Sequence, residues 1–554
     1  MKKFLSSCLL TILLLAGCGK SSQRENKINI LWLTCEDISP TLSFYGDSTA
    51  HTPNLDRLAS ESLIFENAFS TVGVCAPSRS SIITGMYPTS IGSHNMRTGK
   101  DVMGWGQRTY DQKSSGYDIN GQKVPHYSVV VPSPVKCFPE YLRAAGYYTT
   151  NAFKTDYQFA SPVTAWDANA FEAHWRNRND QQPFFAVFNN NITHESQIWK
   201  NRKLEMTVDP DAAPLPPYFP DNPVIRQDVA RNYSNIELLD QIVGERLREL
   251  EEAGLMDKTI IFFYSDHGGP LPRGKRESYV SGLRVPLLVR LPRGTATGRI
   301  NDLISFVDLA PTVLSLAGVK PPDYMQGQAF LGKYKSEKKR EFVFGSGDRF
   351  DEFSDRIRSV TNDKYVYVKN FHTKLPAYKD IGYRKNMDMM NELLRLKESG
   401  KLNDNQKYWF RTGKAEEEFY DRKADPHQLH NIVDDPELSG QVERFRAALQ
   451  GWQEQTNDLG GIPESDLLNK MWPEGIQPAT QKPTAKSVEN TIEISCQTDN
   501  SSIAYIISEK DFEPTLDSGW QLYHKPIENQ LDKYLYVMSN RIGFKDSEII
   551  KIEM

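Results

Sequence analysis

The chain has 554 residues with 66 basic and 71 acidic side chains, which gives a formal net charge of -5. A chain of this length is expected to form more than one domain and to bury a large apolar core. The nearly balanced charge, without a long run of either sign, argues against a dedicated nucleic-acid binder, because neutralising phosphates requires clustered Lys and Arg side chains. It does not exclude a locally basic pocket for an anionic substrate.

The first eighteen residues have the pattern of an export signal. Lys2 and Lys3 precede the apolar run of residues 9–15, and small residues lead to Cys18, as in a secretory signal. The sequence Leu-Ala-Gly-Cys at 15–18 resembles a bacterial lipobox, which implies cleavage before Cys18 and a lipid on that cysteine. The alternative is a plain signal peptide with a chance cysteine. No later stretch is apolar for long enough to span a bilayer. We therefore expect an exported protein, lipid-anchored to the bacterial outer membrane on its periplasmic face or at the cell surface.

Residues 27–335 alternate apolar runs with helical periods, which predicts an α/β domain. Strand-like runs are predicted at residues 28–34, 147–152, 183–188 and 259–264. Three of them are nearly continuous apolar stretches, typical of strands that helices cover on both faces. A long helix with one apolar face is predicted between the last two runs, over residues 226–252. We expect a mixed central sheet flanked by helices.

The remainder of the chain predicts two smaller units. Residues 336–472 are interpreted as an α+β subdomain, because 356–369 alternates like antiparallel strands and 441–455 has the period of an amphipathic helix. Residues 473–486, rich in Pro, Gln and Lys, are interpreted as a linker. Residues 487–554 are interpreted as a small β-sandwich module with strands near 491–498, 502–507 and 534–539.

Polar residues follow directly after the predicted strands of the α/β domain. They are Glu36 and Asp37, Lys154 and Asp156, His194, and Asp266 and His267. Ligands of open α/β sheets bind outside the carboxyl ends of the strands, so these side chains are expected to meet at one edge. Their carboxylates supply the hard oxygen ligands that calcium prefers. The alternatives are that turns are simply polar and that acidic residues after strands cap helices.

One cysteine stands in a distinctive setting. Outside the signal and Cys18 the cysteines have no metal-site spacing, but Cys75 opens the run Cys-Ala-Pro-Ser-Arg. Pro77 suits the first turn of a helix, which would place Cys75 at the positive helix end. Backbone N–H groups and Arg79 could hold a tetrahedral anion there. The alternative is a buried structural cysteine.

This run, followed by Thr84-Gly85, resembles the signature of the formylglycine-dependent (type I) sulfatases of the alkaline-phosphatase superfamily. The resemblance extends from about residue 27 to 435 and includes the motifs at 52–56, 265–268 and 419–421. It is strongest to sulfamidase-like and polysaccharide-active bacterial members. It implies an alkaline-phosphatase-like fold and a maturation enzyme that oxidises Cys75 to formylglycine (3-oxoalanine).

The resemblance also implies roles for individual residues. Calcium (Ca²⁺) would be held by a set of five, namely Glu36, Asp37, Cys75, Asp266 and His267. Sulfate binding and acid–base chemistry would fall to Arg79, Lys154, His194 and Lys275, with His194 as the first choice of acid and Lys275 as its competitor. Two positions depart from the family. Glu36 stands where Asp is usual, and Asp156 stands where a histidine is usual, which leaves the role of Asp156 open.

These observations predict a sulfatase acting on a sulfated polysaccharide or its oligosaccharides, either algal, such as ulvan, or a glycosaminoglycan. The alternatives are a heparan sulfamidase, a phosphoester hydrolase of the same superfamily, and an inactive sugar-binding surface lipoprotein. Four polar residues near the motifs are candidates for substrate contact: His94, Arg97, Asp156 and Arg349. For His94, Arg97 and Arg349 a solvated surface role is the alternative.

Overall fold

The computed structural model describes residues 27–111 and 114–554. The predicted export signal and Cys18 lie outside the described residues. In chain order the strands are β1 (Asn29–Cys35), β2 (Leu63–Phe69), β3 (Ser114–Tyr117), β4 (Lys123–Pro125), β5 (Tyr148–Ala152), β6 (Ala168–Asn169), β7 (Phe184–Asn190), β8 (Thr259–Ser265), β9 (Arg284–Val285), β10 (Leu287–Arg290), β11 (Gly298–Ser305), β12 (Val343–Gly347), β13 (Ile357–Thr361), β14 (Tyr365–Asn370), β15 (Glu417–Asp421), β16 (Thr484–Val488), β17 (Thr491–Ser495), β18 (Ser502–Ser508), β19 (Gln521–Leu522), β20 (Ile527–Glu528), β21 (Tyr534–Asn540) and β22 (Ile550–Glu553).

The helices connect and cover these strands. They are α1 (Pro53–Ser60), α2 (Cys75–Thr84), α3 (Pro88–Ile91), α4 (Pro139–Ala144), α5 (Ser196–Lys200), α6 (Pro223–Glu252), α7 (Val280–Leu283), α8 (Leu309–Leu316), α9 (Asp388–Glu398), α10 (Asp404–Lys407), α11 (Ser439–Thr456) and α12 (Glu464–Met471). Among residues 27–111 and 114–554, no helix combines the length and the apolarity needed to cross a membrane.

The central sheet has the order β11-β2-β10-β8-β1-β7-β5-β6. Strands β8, β1, β7, β5 and β6 run parallel, whereas β10 is antiparallel to both β8 and β2. Alternate residues of β1 enter two different apolar cores, with Trp32 in one and Leu31 and Leu33 in the other. Both faces are therefore covered, because successive side chains of a strand point to opposite sides. The predicted mixed sheet flanked by helices is confirmed.

The four predicted strands correspond to β1, β5, β7 and β8, and the predicted long helix corresponds to α6. Helix α6 begins with Asn222 as its cap, whose side chain accepts a hydrogen bond from the N–H of Ile225. The face of α6 that includes Ile236 and Leu247 is buried in the core. The prediction missed β2, β10 and β11, which complete the sheet on its other side.

Two further regions of antiparallel sheet follow. Strands β12 to β15 form a four-stranded sheet against which α11 packs through Phe445 and Trp452. The last strands form one sheet of β16, β17 and β20 and another of β19, β18, β21 and β22.

The range predicted as a linker is bound to the module, since the N–H of Thr480 donates to the carbonyl of Lys545 at 2.9 Å and β16 already begins at Thr484.

Candidate active site

The polar residues predicted from the strand ends meet at the carboxyl edge of the central sheet. Because β1, β5, β7 and β8 are parallel, the residues that follow them emerge side by side. Helix α2 begins at the same edge with Cys75 and ends at Thr84. Gly85 caps it with a φ of 69°, the left-handed conformation typical of a helix C-cap. The site is therefore built from several separate segments and is almost completely buried.

Cys75 lies at the centre of this group. Its Sγ is 3.3 Å from His267 Nε2 and 4.0 Å from Glu36 Oε2, and the side chain is fully buried. Burial disfavours the thiolate, but the positive charges of Lys275 and Lys154 outweigh it and lower the pKa of Cys75 to about 6. The pocket around residue 75 is therefore electrostatically suited to a negative charge.

The acidic groups of the site are held by basic partners from other parts of the chain. Lys154 Nζ is 2.6 Å from Glu36 Oε2, and Lys275 Nζ is 2.7 Å from Asp37 Oδ2. Although burial opposes ionisation, these lysines keep the pKa of both carboxyls below the ordinary range.

Arg79 is oriented by hydrogen bonds to a third acidic residue, Asp266, and to Asn189. Its Nε donates to Asp266 Oδ2 at 2.9 Å, and its Nη1 donates to Asn189 Oδ1 at 2.9 Å. The guanidinium is thereby oriented by two partners within the same pocket as Cys75. Such orientation before a ligand arrives favours binding of a tetrahedral anion.

The donor set of the pocket fits a hard divalent cation. Possible ligand atoms of Glu36, Asp37, Cys75 and His194 lie within 4.8 Å of one another, as do those of Cys75, Asp266 and His267. Three of these six residues, Glu36, Asp37 and Asp266, offer carboxylate oxygens, the hard ligands that calcium prefers. The Nδ1 of His267 faces the carbonyl of Gly268 at 2.9 Å. If Nδ1 donates there, the Nε2 lone pair is left for a metal. Close carboxylates also repel one another unless a cation lies between them.

His194 is oriented for proton donation through Nε2. The N–H of Ser196 donates to His194 Nδ1 at 3.2 Å, which makes Nδ1 an acceptor and places the proton of the neutral ring on Nε2. Nε2 is 3.9 Å from Glu36 Oε2, so it faces the pocket that contains Cys75.

The prediction missed a second line of charges behind Lys275. Glu195 accepts two hydrogen bonds from Arg276, at 2.8 and 2.9 Å, and lies 3.4 Å from Lys275 Nζ. Arg276 also donates to Asp351 Oδ2 at 2.7 Å. Glu195 and Arg276 each follow a predicted site residue directly in the sequence, and this adjacency is the signal that could have identified them.

Several residues of this region have a strained backbone. Positive φ angles occur at Asp37 (55°), Arg97 (61°), Asp156 (52°), Arg276 (72°) and Asp351 (52°). Residues other than glycine adopt this conformation at a cost of about 1–3 kcal/mol, and such residues cluster at functional sites. The fold therefore maintains these loops in an unfavourable conformation around the pocket.

Of the residues predicted to contact substrate, the structure brings Arg97 and Asp156 to the pocket. Arg97 Nη2 is 3.9 Å from Asp156 Oδ2, and Asp156 Oδ2 is 3.6 Å from Lys154 Nζ. The side chain of Arg97 is 38% exposed, so it lies at the mouth. Asp156 is buried beside Lys154, so a carboxylate stands where the resemblance would place a histidine.

His94 and Arg349 lie in a different cluster. Arg349 is buried and donates to Glu464 Oε1 at 2.7 Å and to the carbonyl of Met96 at 2.8 Å. His94 is buried near Arg358 and Glu464, and burial lowers its pKa to about 4. Both side chains are enclosed among protein partners in the structure, and their role as substrate contacts stays a prediction.

A buried thiol at a helix N-terminus, three carboxylates and several oriented cations together define the site of a hydrolase for tetrahedral anions. The family model described as Sulfatase matches residues 28–319, and the model described as N-sulphoglucosamine sulphohydrolase, C-terminal, matches residues 273–408. The chain belongs to the sulfatase family, whose members are sulfuric ester hydrolases.

Two relatives match most of the chain. An ulvan-active sulfatase of Formosa agariphila is 42% identical over 95% of this chain and 91% of its own. The N-sulphoglucosamine sulphohydrolase of Homo sapiens is 28% identical over 84% of this chain and 97% of its own. A solved structure of a protein with its substrate D-glucosamine-2-N,6-O-disulfate has a TM-score of 0.52 and 17% identity, covering 78% of this chain and 98% of that chain. This last similarity shows the alkaline-phosphatase-like sulfatase fold alone.

Proposed function

We propose that this protein hydrolyses sulfate esters of a sulfated polysaccharide or of its oligosaccharides, with Cys75 matured to formylglycine and calcium bound beside it. The observation that carries the proposal is the convergence on Cys75 of carboxylates and cations from separate strands. Cys75 Sγ lies 4.0 Å from Glu36 Oε2 and shares a possible metal-ligand group with Asp266 and His267.

The residues of the pocket have separate roles in ester hydrolysis. With calcium bound and Cys75 matured to the aldehyde, the ion and the hydrated aldehyde would supply an ionised nucleophilic oxygen. Glu36, Asp37, Asp266 and His267 are the side chains that would hold the ion. Glu36 and Asp37 also orient the lysines that face them.

The cations of the pocket bind the substrate anion. Arg79, Lys154 and Lys275 donate to the sulfate oxygens and stabilise the charge that develops on them. His194 Nε2–H donates a proton to the departing ester oxygen. The competing acid is Lys275, whose pKa Asp37 raises despite burial. A high pKa suits this lysine better to electrostatic binding than to proton transfer.

The substrate class is supported by the relatives. The Formosa agariphila relative is named ulvan-active, and ulvan fragments are our first candidate. The match of residues 273–408 to a sulfamidase C-terminal model supports the alternative of sulfamidase activity, which cleaves the S–N bond of N-sulfated glucosamine in heparan. The competing functions are phosphoester hydrolysis and sugar binding without catalysis. Cys75 argues against the first of these, because a phosphatase of this superfamily usually carries Ser or Thr at that position.

Location and maturation belong to the same proposal. The signal-like residues 1–18 and the lipobox-like sequence before Cys18 support export and lipid anchoring. Anchoring would hold the enzyme at the cell envelope, where external polymers or their fragments arrive. The signature at Cys75 supports recognition by a formylglycine-generating maturation enzyme.

The test is a substrate panel assayed with protein produced alongside a maturation enzyme. Sulfate release is expected from ulvan oligosaccharides or from heparan sulfate oligosaccharides, and little or no phosphate is expected from matched phosphate esters. Mass spectrometry of the peptide that carries Cys75 is expected to show a loss of about 18 mass units, the change from thiol to aldehyde. Chelation of calcium is expected to abolish activity.

The Cys75→Ser variant provides the control. It is expected to keep the fold and lose turnover, because a serine can be sulfated but cannot release the sulfate by reforming an aldehyde. A fully active Cys75→Ser protein would contradict the mechanism. An unmodified Cys75 in protein from the native host, with no sulfate release, would instead support sugar binding without catalysis.

A further inference from the structure

An exposed aromatic side chain stands at the mouth of the pocket. Tyr383 is 43% exposed, and its ring centroid is 6.5 Å from the His194 ring. On another side it makes an edge contact with Trp199, with centroids 5.2 Å apart and an interplanar angle of 75°. Single exposed aromatic side chains are common on protein surfaces. Tyr383 differs from them because it lies beside His194, the proposed proton donor.

The charges that face Tyr383 are those of the candidate active site. Burial and the nearby Glu195 raise the pKa of its hydroxyl, while Lys275 and Arg97 act in the opposite direction. Ser196, which also contacts His194, lies beside the hydroxyl. The ring of Tyr383 therefore forms an apolar part of the rim of an otherwise highly charged pocket.

The segment that carries Tyr383 is firmly attached to the floor of the pocket. Tyr383 belongs to a short 3₁₀ helix, Gly382–Asn386. The next residue, Arg384, is fully buried and donates from Nη2 to the carbonyl of Lys275 at 2.7 Å. Its guanidinium also lies 5.3 Å from the ring centroid of Trp409. These contacts hold the aromatic ring at a defined position relative to Lys275.

We propose that Tyr383, supported by Trp199, is a stacking platform for a pyranose ring of the sulfated carbohydrate. The inference rests on the proposed function and adds to it a recognition element for the sugar. A pyranose presents one face of C–H groups, which packs on an aromatic ring, while its hydroxyl and sulfate groups remain at the edge. With the ring on Tyr383, the sulfate ester points toward the cations and its bridging oxygen toward His194.

The platform differs from a purely structural aromatic in what it contributes to binding. A structural role predicts that removing the ring perturbs the whole pocket, including binding of the bare anion. A platform contributes only to ligands that contain a sugar. Inorganic sulfate, which occupies the anion pocket without a sugar, separates the two.

The experiment measures KM and kcat on ulvan or heparan sulfate oligosaccharides and the inhibition constant of inorganic sulfate. Tyr383→Ala is expected to raise KM about tenfold, with the inhibition constant of sulfate changed by less than about twofold. Tyr383→Phe keeps the ring and is expected to keep KM within about twofold. Tyr334→Ala, which removes another exposed aromatic side chain packed near Lys333, is the matched control.

An unchanged KM in Tyr383→Ala would overturn the platform, as would an equal weakening of sulfate and oligosaccharide. If the parent enzyme releases sulfate from no probe, the proposed function fails separately. Calorimetry on the same ulvan oligosaccharides then compares Cys75→Ala with Cys75→Ala/Tyr383→Ala. A tenfold weaker affinity of the double variant would support the platform, and equal affinities would overturn it.

Discussion

Around Cys75, each buried carboxylate is matched with a cation from a distant segment. Lys154 pairs with Glu36 and Lys275 pairs with Asp37, across 118 and 238 residues of sequence. Removing one partner of such a pair leaves an uncompensated buried charge. Substitutions among these residues therefore combine a loss of chemistry with a loss of stability, and His194 is a cleaner probe of the reaction.

At the residue scale, we predict that His194→Ala lowers kcat/KM by about 10²–10³-fold on sulfated sugars. Sugar alkoxides are poor leaving groups that require the proton from Nε2, whereas a phenolate leaves without help. The loss on an aryl sulfate such as 4-nitrophenyl sulfate is therefore expected to be much smaller. Steady-state kinetics on both substrates provide the comparison.

His174→Ala serves as the control, because His174 is paired with Glu249 and plays no part in the proposed chemistry. Equal losses of kcat/KM on the sugar and the aryl sulfate in His194→Ala would show that His194 is not the acid and would favour Lys275.

At the scale of secondary-structure elements, a buried ion cluster joins the ends of β12, β13 and α11. Arg358 on β13 donates to Asp348, which follows β12, and to Asp458, which follows α11, at 3.0 and 2.7 Å. One guanidinium thus serves two buried carboxylates. Burial raises the pKa of Asp348 to about 7 against the opposing effect of Arg358. At Asp458 burial also raises the pKa, but the attraction of Arg358 outweighs it and holds the pKa of Asp458 below its ordinary range.

We predict that the Asp348→Asn variant loses less stability than the parent protein as the pH rises from 5 to 8. The folded protein retains a proton on Asp348 that the unfolded chain loses near pH 4, so this residue makes folding less favourable as pH approaches 7. An asparagine stays neutral and still accepts from Arg358. The melting temperature measured at several pH values should therefore fall less steeply for the variant.

Asp458→Asn is the companion variant, and it should lower stability throughout pH 5 to 8 without making the loss with rising pH steeper. Its carboxylate contributes stability above its ordinary pKa, so its removal is expected to lower the melting temperature at neutral pH. An Asp348→Asn protein with the same pH profile as the parent would contradict the assignment of the proton.

At the scale of the whole molecule, the C-terminal module is packed against the α/β domain. Arg143 donates to the carbonyl of Trp520 at 2.6 Å, and Lys136 donates to Ser502 at 2.6 Å. Val163 of the α/β domain belongs to the same apolar cluster as Trp520. At Gly543 the backbone of the module lies so close to that of the α/β domain that an added Cβ would be 2.3 Å from the carbonyl oxygen of Val129.

We predict that Gly543→Ala destabilises the whole protein by about 2 kcal/mol or more, because a clash at the interface is added to backbone strain. Gly519→Ala is the matched control, since Gly519 also has positive φ but has no atom within 4 Å of its added Cβ. The control is expected to cost about 1 kcal/mol. Denaturant unfolding, followed by fluorescence and by activity, measures both. Equal effects of the two substitutions would indicate that the module does not depend on this contact.

The sequence by itself determined the central strands, the long helix and the polar edge of the sheet. These features depend on local periodicity and on the rule that residues following parallel strands meet. The positions of Glu36, Asp37 and Asp266 followed from that rule, and Cys75 was distinguished by its own short motif. The short strand β10 was missed because its four residues, Leu287–Arg290, give no periodicity that distinguishes a strand from a buried loop.

Only the tertiary structure decided which charges are partners and which aromatic rings reach the pocket. Glu195 and Arg276 are 81 residues apart, and Tyr383 reaches the pocket from a segment with no strand or α-helix of its own. Arg349 is a third example, because its place in the sequence gave no sign that it forms a buried ion pair with Glu464. Pairings over such distances depend on the folded path of the chain, since a residue's local neighbours carry no information about a partner brought in from another segment.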